Sequence, residues 1–394
     1  MAEYSKVILK PGKEVAVNRF HPWIFTGAIE RLSGKVKEGD IVEIQSGTGA
    51  YLATGHALAG SIAVKILSFK PCEINKEFWQ EKLHAAFDLR VKARLTDNPD
   101  TNAYRLVFAE GDHLPGLIID HFAGVLILQA HSVGMYLAFD DILEVLKELY
   151  GDKLVSVYSK SADALSRMSG FEATDGFLFG DKAPEYFLEN GIKYKLDLLG
   201  QKTGFFCDQR EHRKLVSSYS EGKSVLDMFC YSGGFTLNSM TAGASRVVSV
   251  DSSKNAAAMV ADHVSFNELT SDKQETIVSD AKQFLDKMEE GFDIIILDPP
   301  AFAKHQSQRT QGMKGYRTIN ASAIKKINKG GILFTFSCSQ AIDRESFQSA
   351  VTAAAIDAGR EVRILHQLSQ PPDHPVNLFH PEGEYLKGLV LYII

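Results

Sequence analysis

Val225-Leu226-Asp227-Met228-Phe229-Cys230-Tyr231-Ser232-Gly233-Gly234 is the stretch on which the fold turns. An apolar run ends in a carboxylate, a loop follows, and a glycine pair opens the next segment. Gly233 and Gly234 let a backbone turn tightly and approach a ligand before a helix begins; a purely structural turn explains the pair as well. The stretch is not GxGxxG, which removes support for a dinucleotide pyrophosphate site. Outward from it, 225–229, 247–250, 276–278, 294–297 and 332–336 are buried-strand runs, separated by helical patterns such as 254–266 and 281–288. This alternation predicts βαβ units, a mostly parallel sheet and right-handed crossovers. With 362–366 and 386–393 added, the C-terminal part reads as an α/β fold on a seven-stranded sheet.

In doubly wound sheets ligands bind beyond the carboxyl ends of the strands, so the residues closing each run carry the information. They are acidic. Asp227 closes the first run. Asp251 closes the second, where a carboxylate can accept both hydroxyls of a ribose. Asp280 closes the third and either accepts from an adenine amino group or simply caps the next helix. The fourth ends in Asp298-Pro299-Pro300, whose prolines fix a rigid turn. A nucleoside-containing ligand without strong phosphate demand fits four acidic strand ends best. Over about 190–394 this constellation resembles the class I S-adenosylmethionine-dependent methyltransferases, which are Rossmann-like. The resemblance implies that Asp227, Phe229, Ser232 and Gly233 line the methionine part. It also implies that Asp251 holds the ribose, Asp280 the adenine, and that Asp298 sits beside the transferred methyl.

The fifth run leads into Ser337-Cys338-Ser339. In such a sheet the fourth and fifth strands are neighbours, which places Cys338 near Asp298. Carbon 5 of a pyrimidine is a poor nucleophile; a thiolate adding to carbon 6 pushes electron density onto it. Only a partly exposed Cys near positive charge is competent, and Lys304 with the basic loop after Pro300 is the expected source of that field. The competing reading is an inert cysteine buried at a strand end.

Ahead of the α/β part, residues 1–72 read as short strands (7–9, 41–44, 62–66) broken by glycine turns, a small β-barrel or sandwich. A helix is expected at 76–95. Strands at 105–109, 117–120, 125–130 and 155–159, with a helix at 136–150, make 73–188 a central α+β domain. Asn190-Gly191 signals a hairpin, and 189–394 is then the catalytic domain. The stretch 161–185 gives the weakest structural signal.

The chain has 394 residues and a net charge of −6 from 43 basic and 49 acidic side chains, so bulk charge does not advertise nucleic acid. A local patch suffices for a phosphate backbone. From Ala301 to Gly330 there are seven Lys or Arg, among them Lys304, Arg309, Lys314 and Arg317, and no Asp or Glu. These four are candidate substrate contacts, set against a reading as solvated surface. Four scattered cysteines form neither a disulfide framework nor a metal spacing, so no metal is expected. No signal peptide or membrane-spanning run is apparent, and a cytoplasmic protein is expected. Self-association into a homodimer is left open.

Four further stretches sharpen the likeness: Phe20-His21-Pro22-Trp23-Ile24-Phe25, Lys202-Thr203-Gly204-Phe205-Phe206-Cys207-Asp208-Gln209-Arg210, Asp298-Pro299-Pro300-Ala301-Phe302 and Phe336-Ser337-Cys338-Ser339. Over essentially its whole length the chain resembles the bacterial 23S ribosomal RNA 5-methylcytosine methyltransferases with an N-terminal PUA domain. The resemblance implies an RNA-binding PUA module, S-adenosylmethionine as cofactor, Cys338 as nucleophile, and Asp208 and Arg210 near the methionine carboxylate and amino groups. A guanidinium fork suits that carboxylate; a salt bridge to Glu211 or Asp208 is the alternative. Many RNA 5-methylcytosine enzymes carry a second Cys where Ala301-Phe302 stands here, so the proton-abstracting group is unassigned, with Asp298 the candidate by proximity. His374 either orients the base or serves a structural turn, and Trp23 with Phe25 either stacks bases or packs the barrel. The rival functions are an RNA amine or purine N-methyltransferase, which also uses Asp-Pro-Pro-type motifs, and a non-catalytic RNA-binding factor.

Overall fold

Successive side chains face opposite sides of a strand, and the C-terminal runs are apolar at most positions because both sides are covered. In the computed structural model, which describes residues 4–198, 200, 203–289 and 291–394, these runs form one seven-stranded sheet. Its strands are β1 (Ser224–Met228), β2 (Arg246–Asp251), β3 (Gln274–Val278), β4 (Ile294–Leu297), β5 (Gly331–Ser337), β6 (Val362–Ser369) and β7 (Lys387–Ile393). The spatial order is β3-β2-β1-β4-β5-β7-β6. The first five are parallel, with Val225 opposite both Val247 and Ile294, and β7 runs antiparallel to β5 and β6. The order reverses between β1 and β4, which opens a crevice at their carboxyl ends.

Among the described residues α1 (Arg210–Ser220) precedes β1, and five helices connect the strands: α2 (Gly234–Thr241), α3 (Lys254–Phe266), α4 (Ala281–Lys287), α5 (Arg309–Lys326) and α6 (Arg344–Ala358). Leu226, Met228, Ile295 and Leu297 pack with Leu285, Tyr316, Ile324 and Phe347 of α4, α5 and α6. Their strand neighbours Val225, Ile294 and Ile296 pack with Val216 of α1 and Phe235 of α2. Side-chain caps start three of the helices: Ser253 accepts from the Ala256 amide, Asp280 from Gln283 and Asp343 from Ser346.

The chain divides into two compact units. The sheet above belongs to the second, Glu189–Tyr194, Asp208–Pro371 and Glu384–Ile394; the first is Met1–Leu188, Lys195–Cys207 and Pro372–Gly383. The segments 195–207 and 372–383 join the first unit although they lie beyond residue 188. For the second of these the cause is an ionic network. Arg90, fully buried, pairs with Asp112 and donates to the Asp373 carbonyl at 2.8 Å, and the Arg105 amide donates to the Asp373 carboxylate at 3.0 Å.

The first unit holds a six-stranded and a five-stranded sheet. In the six-stranded sheet, Ser5–Leu9 pairs in parallel with Ile41–Gln45, and Val7, Leu9, Ile24, Val42, Ile44, Val64 and Ile66 form the core. The strands Trp23–Phe25, Ile29–Ser33 and Tyr51–Ala57 were not evident from sequence. The last contains Gly55, a poor strand former that is needed there because a Cβ would lie 2.2 Å from the Lys65 carbonyl. In the weakly patterned region a helix, Ala162–Ser169, and a strand, Gly176–Phe179, form. The Asp175 carboxylate organises the helix start by accepting from the Ser161 and Ala162 amides at 2.7 and 2.8 Å.

Candidate active site

At the carboxyl end of β1 the chain cannot continue straight, because the amides of Phe229 and Cys230 turn to donate to the Val250 carbonyl of β2. Phe229, Tyr231 and Gly233 all adopt left-handed backbone, φ 62°, 46° and 78°. Such strain in non-glycine residues persists only where surroundings impose it, and it clusters at ligand sites. Gly233 has no side-chain freedom to spare: a Cβ there would meet Val260 at 3.1 Å. The loop is fastened by Asp251, whose two carboxylate oxygens accept from the Tyr231 amide at 3.1 Å and the Ser253 amide at 2.9 Å. Ser232 is buried, and its carbonyl receives the His263 imidazole at 2.9 Å.

Asp227 lies beneath this loop, fully buried. One oxygen, Oδ2, accepts from the Thr236 amide at 3.0 Å and its hydroxyl at 2.7 Å. The other, Oδ1, has no hydrogen-bond partner among the described residues. Burial raises the pKa of this carboxyl to about 7, opposed by the Thr236 bonds and reinforced by the Asp251 charge. A buried acceptor lacking a donor costs free energy, and a cationic amino group supplies what is missing. The buried pair Arg213–Glu189 braces the same region, with Nε and Nη2 donating at 2.5 and 2.7 Å. Arg213 also lies against Gly234, where a Cβ would meet its Cδ at 2.7 Å. Neither partner stood out in the sequence.

The other carboxylates divide by environment. Asp208 is buried and accepts from the Tyr385 hydroxyl at 2.5 Å. Arg210 is buried too, with Nε donating to Glu211 at 3.2 Å, so the Glu211 salt bridge is real but its cation is not a surface group. Asp280 is exposed and spends one oxygen on its capping bond at 2.9 Å. Lys202 of the motif that leads into Asp208 lies outside the described residues.

Asp298 ends β4 half-buried, and Cys338 follows β5 half-buried. The Cys338 sulfur is 3.9 Å from the Pro299 carbonyl, so the thiol and the Asp298-Pro299-Pro300 turn adjoin as the parallel pairing of β4 and β5 requires. The next residue fixes this edge: the Ser339 hydroxyl receives the Ala303 amide at 3.2 Å and bonds the Tyr316 hydroxyl at 2.9 Å. A cation that the sequence did not single out lies beside Cys338. Lys304 is exposed. Lys387, on β7 opposite Ser337, is buried and donates to the Ser339 carbonyl at 2.7 Å. Burial lowers its pKa to about 8, against the opposing charges of Cys338 and Glu384. Only the antiparallel pairing of β7 with β5 makes Lys387 a neighbour; nothing near it in the chain signals the role.

Three candidate substrate contacts have side-chain partners of their own. Arg317 forms a two-bond pair with Asp357 at 2.6 Å, and Arg309 donates to Asp343 at 2.9 Å, so both are committed to holding α5 on α6. His374 belongs to the first unit, 1% exposed, bonded to Asp373 at 3.2 Å and packed on Phe108. Lys304 and Lys314 are exposed. Trp23 is half-buried with its indole N–H donating to Glu110 at 2.9 Å, whereas Phe25 is 50% exposed.

A parallel sheet in this order with an antiparallel seventh strand, an acidic cradle and a buried orphan acceptor define a class I S-adenosylmethionine-binding methyltransferase fold. Comparison with known proteins agrees. The S-adenosylmethionine-dependent methyltransferase family matches residues 173–385 and a PUA-like domain matches 7–69. The ribosomal RNA large subunit methyltransferases I of Escherichia coli O139:H28 and O157:H7 are each 37% identical, over 99% of both chains. A solved methyltransferase from Streptococcus mutans shares the fold, with a TM-score of 0.83 at 22% identity over 98% of this chain and 99% of its own. A second solved structure with the same scores is complexed with S-adenosylhomocysteine. The chain therefore belongs to the S-adenosylmethionine-dependent methyltransferase family, carries an N-terminal PUA-like domain, and uses S-adenosylmethionine. Among the described residues no helix is long and apolar enough to cross a membrane.

Proposed function

We propose that the protein methylates carbon 5 of a cytosine in 23S ribosomal RNA through a transient covalent adduct with Cys338. The RNA substrate is inferred from the full-length likeness to the large-subunit enzymes of Escherichia coli. The observation that carries the chemistry is a half-exposed thiol beside the Pro299 carbonyl and within the field of the buried Lys387 cation. The domain division 1–72, 73–188 and 189–394 belongs to the same proposal, with the PUA-like part as the RNA-binding module.

When bound, the cofactor supplies a methyl group on a positively charged sulfur. Asp227 would receive its amino group, Asp208 and Arg210 would flank the amino acid end, Asp251 the ribose and Asp280 the adenine. The Cys338 thiolate adds to carbon 6 of the base, and the Lys387 ammonium stabilises that thiolate beforehand. Once carbon 5 carries its new substituent, its proton leaves to a base and the thiolate is expelled. Asp298, the carboxylate that follows the adjoining strand β4, is the candidate acceptor of that proton.

The test is digestion of 23S RNA after treatment with the protein, followed by mass spectrometry of the nucleosides. 5-Methylcytidine is expected from the wild type. Cys338→Ala should lose methylation while binding the cofactor as before. An N-methylated adenine or guanine as the product would replace this reading with the amine-methylating one, and a fully active alanine variant would end the covalent mechanism.

A further inference from the structure

His380 is 3% exposed, and among the described residues neither of its ring nitrogens has a hydrogen-bond partner. Buried imidazoles are almost always satisfied, so a group in this state needs a reason. Two other side chains of the first unit converge on it. His21 Nε2 lies 3.7 Å from one oxygen of Glu382, and His380 Nε2 lies 3.8 Å from the other. One donor atom from each of His21, His380 and Glu382 falls within 4.8 Å of the rest.

We propose that His21, His380 and Glu382 form a binding site for a divalent transition ion of the zinc class, unrelated to the methyl-transfer site. Two imidazoles with one carboxylate are a donor set that zinc accepts, with bonds of ~2.0–2.2 Å and a fourth tetrahedral position left to water. Zinc needs its ligands ~3.3 Å apart, so the observed 3.7 and 3.8 Å call for small side-chain rotations. Glu382, 54% exposed, has room to make them.

The surroundings suit an ion. His21 Nδ1 sits 3.2 Å from the Trp23 amide nitrogen and 3.3 Å from the Trp23 carbonyl; the tautomer protonated at Nδ1 donates to the carbonyl and presents the Nε2 lone pair toward Glu382. A ligating histidine held by a carbonyl in this way is the usual outer support of a metal site. Trp23 packs on His380 with ring centres 4.4 Å apart, and Phe25 on His21 at 6.4 Å, an apolar wall that limits water on that side. The ion would staple two parts of the first unit that are far apart in the chain, the Trp23–Phe25 strand and the Pro372–Gly383 segment. That separation is why no metal spacing is visible in the sequence.

The full-length, untagged protein, stripped with chelator and dialysed against zinc chloride, should retain one zinc per chain. Glu382→Gln, at an exposed position that leaves the fold intact, should weaken zinc at least tenfold, and His380→Ala likewise. Cobalt substitution should give a visible ligand-field band without the near-ultraviolet thiolate charge-transfer band. Failure to retain stoichiometric zinc, unchanged affinity in Glu382→Gln, or a thiolate band that places the metal on a cysteine would each overturn the proposal. None of these readouts depends on methyl transfer.

Discussion

Replacing Asp227 by Asn removes one charge and almost no volume. The amide oxygen can take over both Thr236 bonds now made to Oδ2, at 3.0 and 2.7 Å. The amide nitrogen then occupies the place of Oδ1, the buried acceptor without a partner, and turns a donor toward the space where the cofactor's ammonium is expected. A hydrogen bond to a charged group contributes ~1.5–3 kcal/mol, so cofactor affinity should fall about 10- to 150-fold. The pH dependence makes the test sharper. With a pKa near 7, Asp227 is protonated below neutrality and cannot pair with an ammonium. Wild-type affinity should therefore rise with pH up to about 7, then decline above ~8 as the cofactor's own α-amino group loses its proton. The Asn variant should lose the acidic limb and keep the alkaline one. Stability moves the opposite way. Because the folded pKa is raised, the unliganded fold holds a proton that the unfolded chain has released. This contribution is present at low pH and disappears as pH rises through 7, with a slope of up to ~1.4 kcal/mol per pH unit. The slope should vanish in the variant. Titration calorimetry from pH 5.5 to 9, paired with urea unfolding at the same pH values, reads both effects. Wild-type affinity in Asp227→Asn, or a flat wild-type profile between pH 6 and 8, refutes the reasoning.

Lys387→Met should depress kcat and shift the alkaline limb of the kcat profile, expected near pH 8, while leaving cofactor affinity within about twofold; an unchanged profile would remove Lys387 from the mechanism. Glu189→Gln leaves the Arg213 guanidinium buried without its counter-charge, and urea unfolding should show a loss of ~3–5 kcal/mol. Gly233→Ala forces a side chain into left-handed backbone and against Val260, costing about 1–2 kcal/mol of stability by the same assay and weakening the cofactor further.

The catalytic sheet was legible in the sequence because most of its strands carry apolar runs and its helices repeat at their own period, signals that depend only on neighbours in sequence. The run 294–297 and the helix 254–266 have the expected limits to the residue. The four acidic strand ends were legible for the same reason: a parallel sheet brings its carboxyl termini to one edge whatever the side chains do. Direction and company were not. Arg309 and Arg317 sit in a basic run but turn toward Asp343 and Asp357, because α6 offers carboxylates within reach. His374 sits among polar turn residues but is drawn into the first unit, because Arg90 and Arg105 hold Asp373.

The chain's own order thus determined the alternation, the glycine turn after β1, the acidic strand ends and the position of Cys338 after β5. Tertiary structure decided which charges meet: Lys387 with Cys338, Glu189 with Arg213, and His380 with His21 and Glu382. The physical reason is range. Hydrophobic periodicity and turn chemistry act over a few residues and are written locally. A buried charge, by contrast, takes its pKa and its role from partners that only the folded chain brings within a few ångströms.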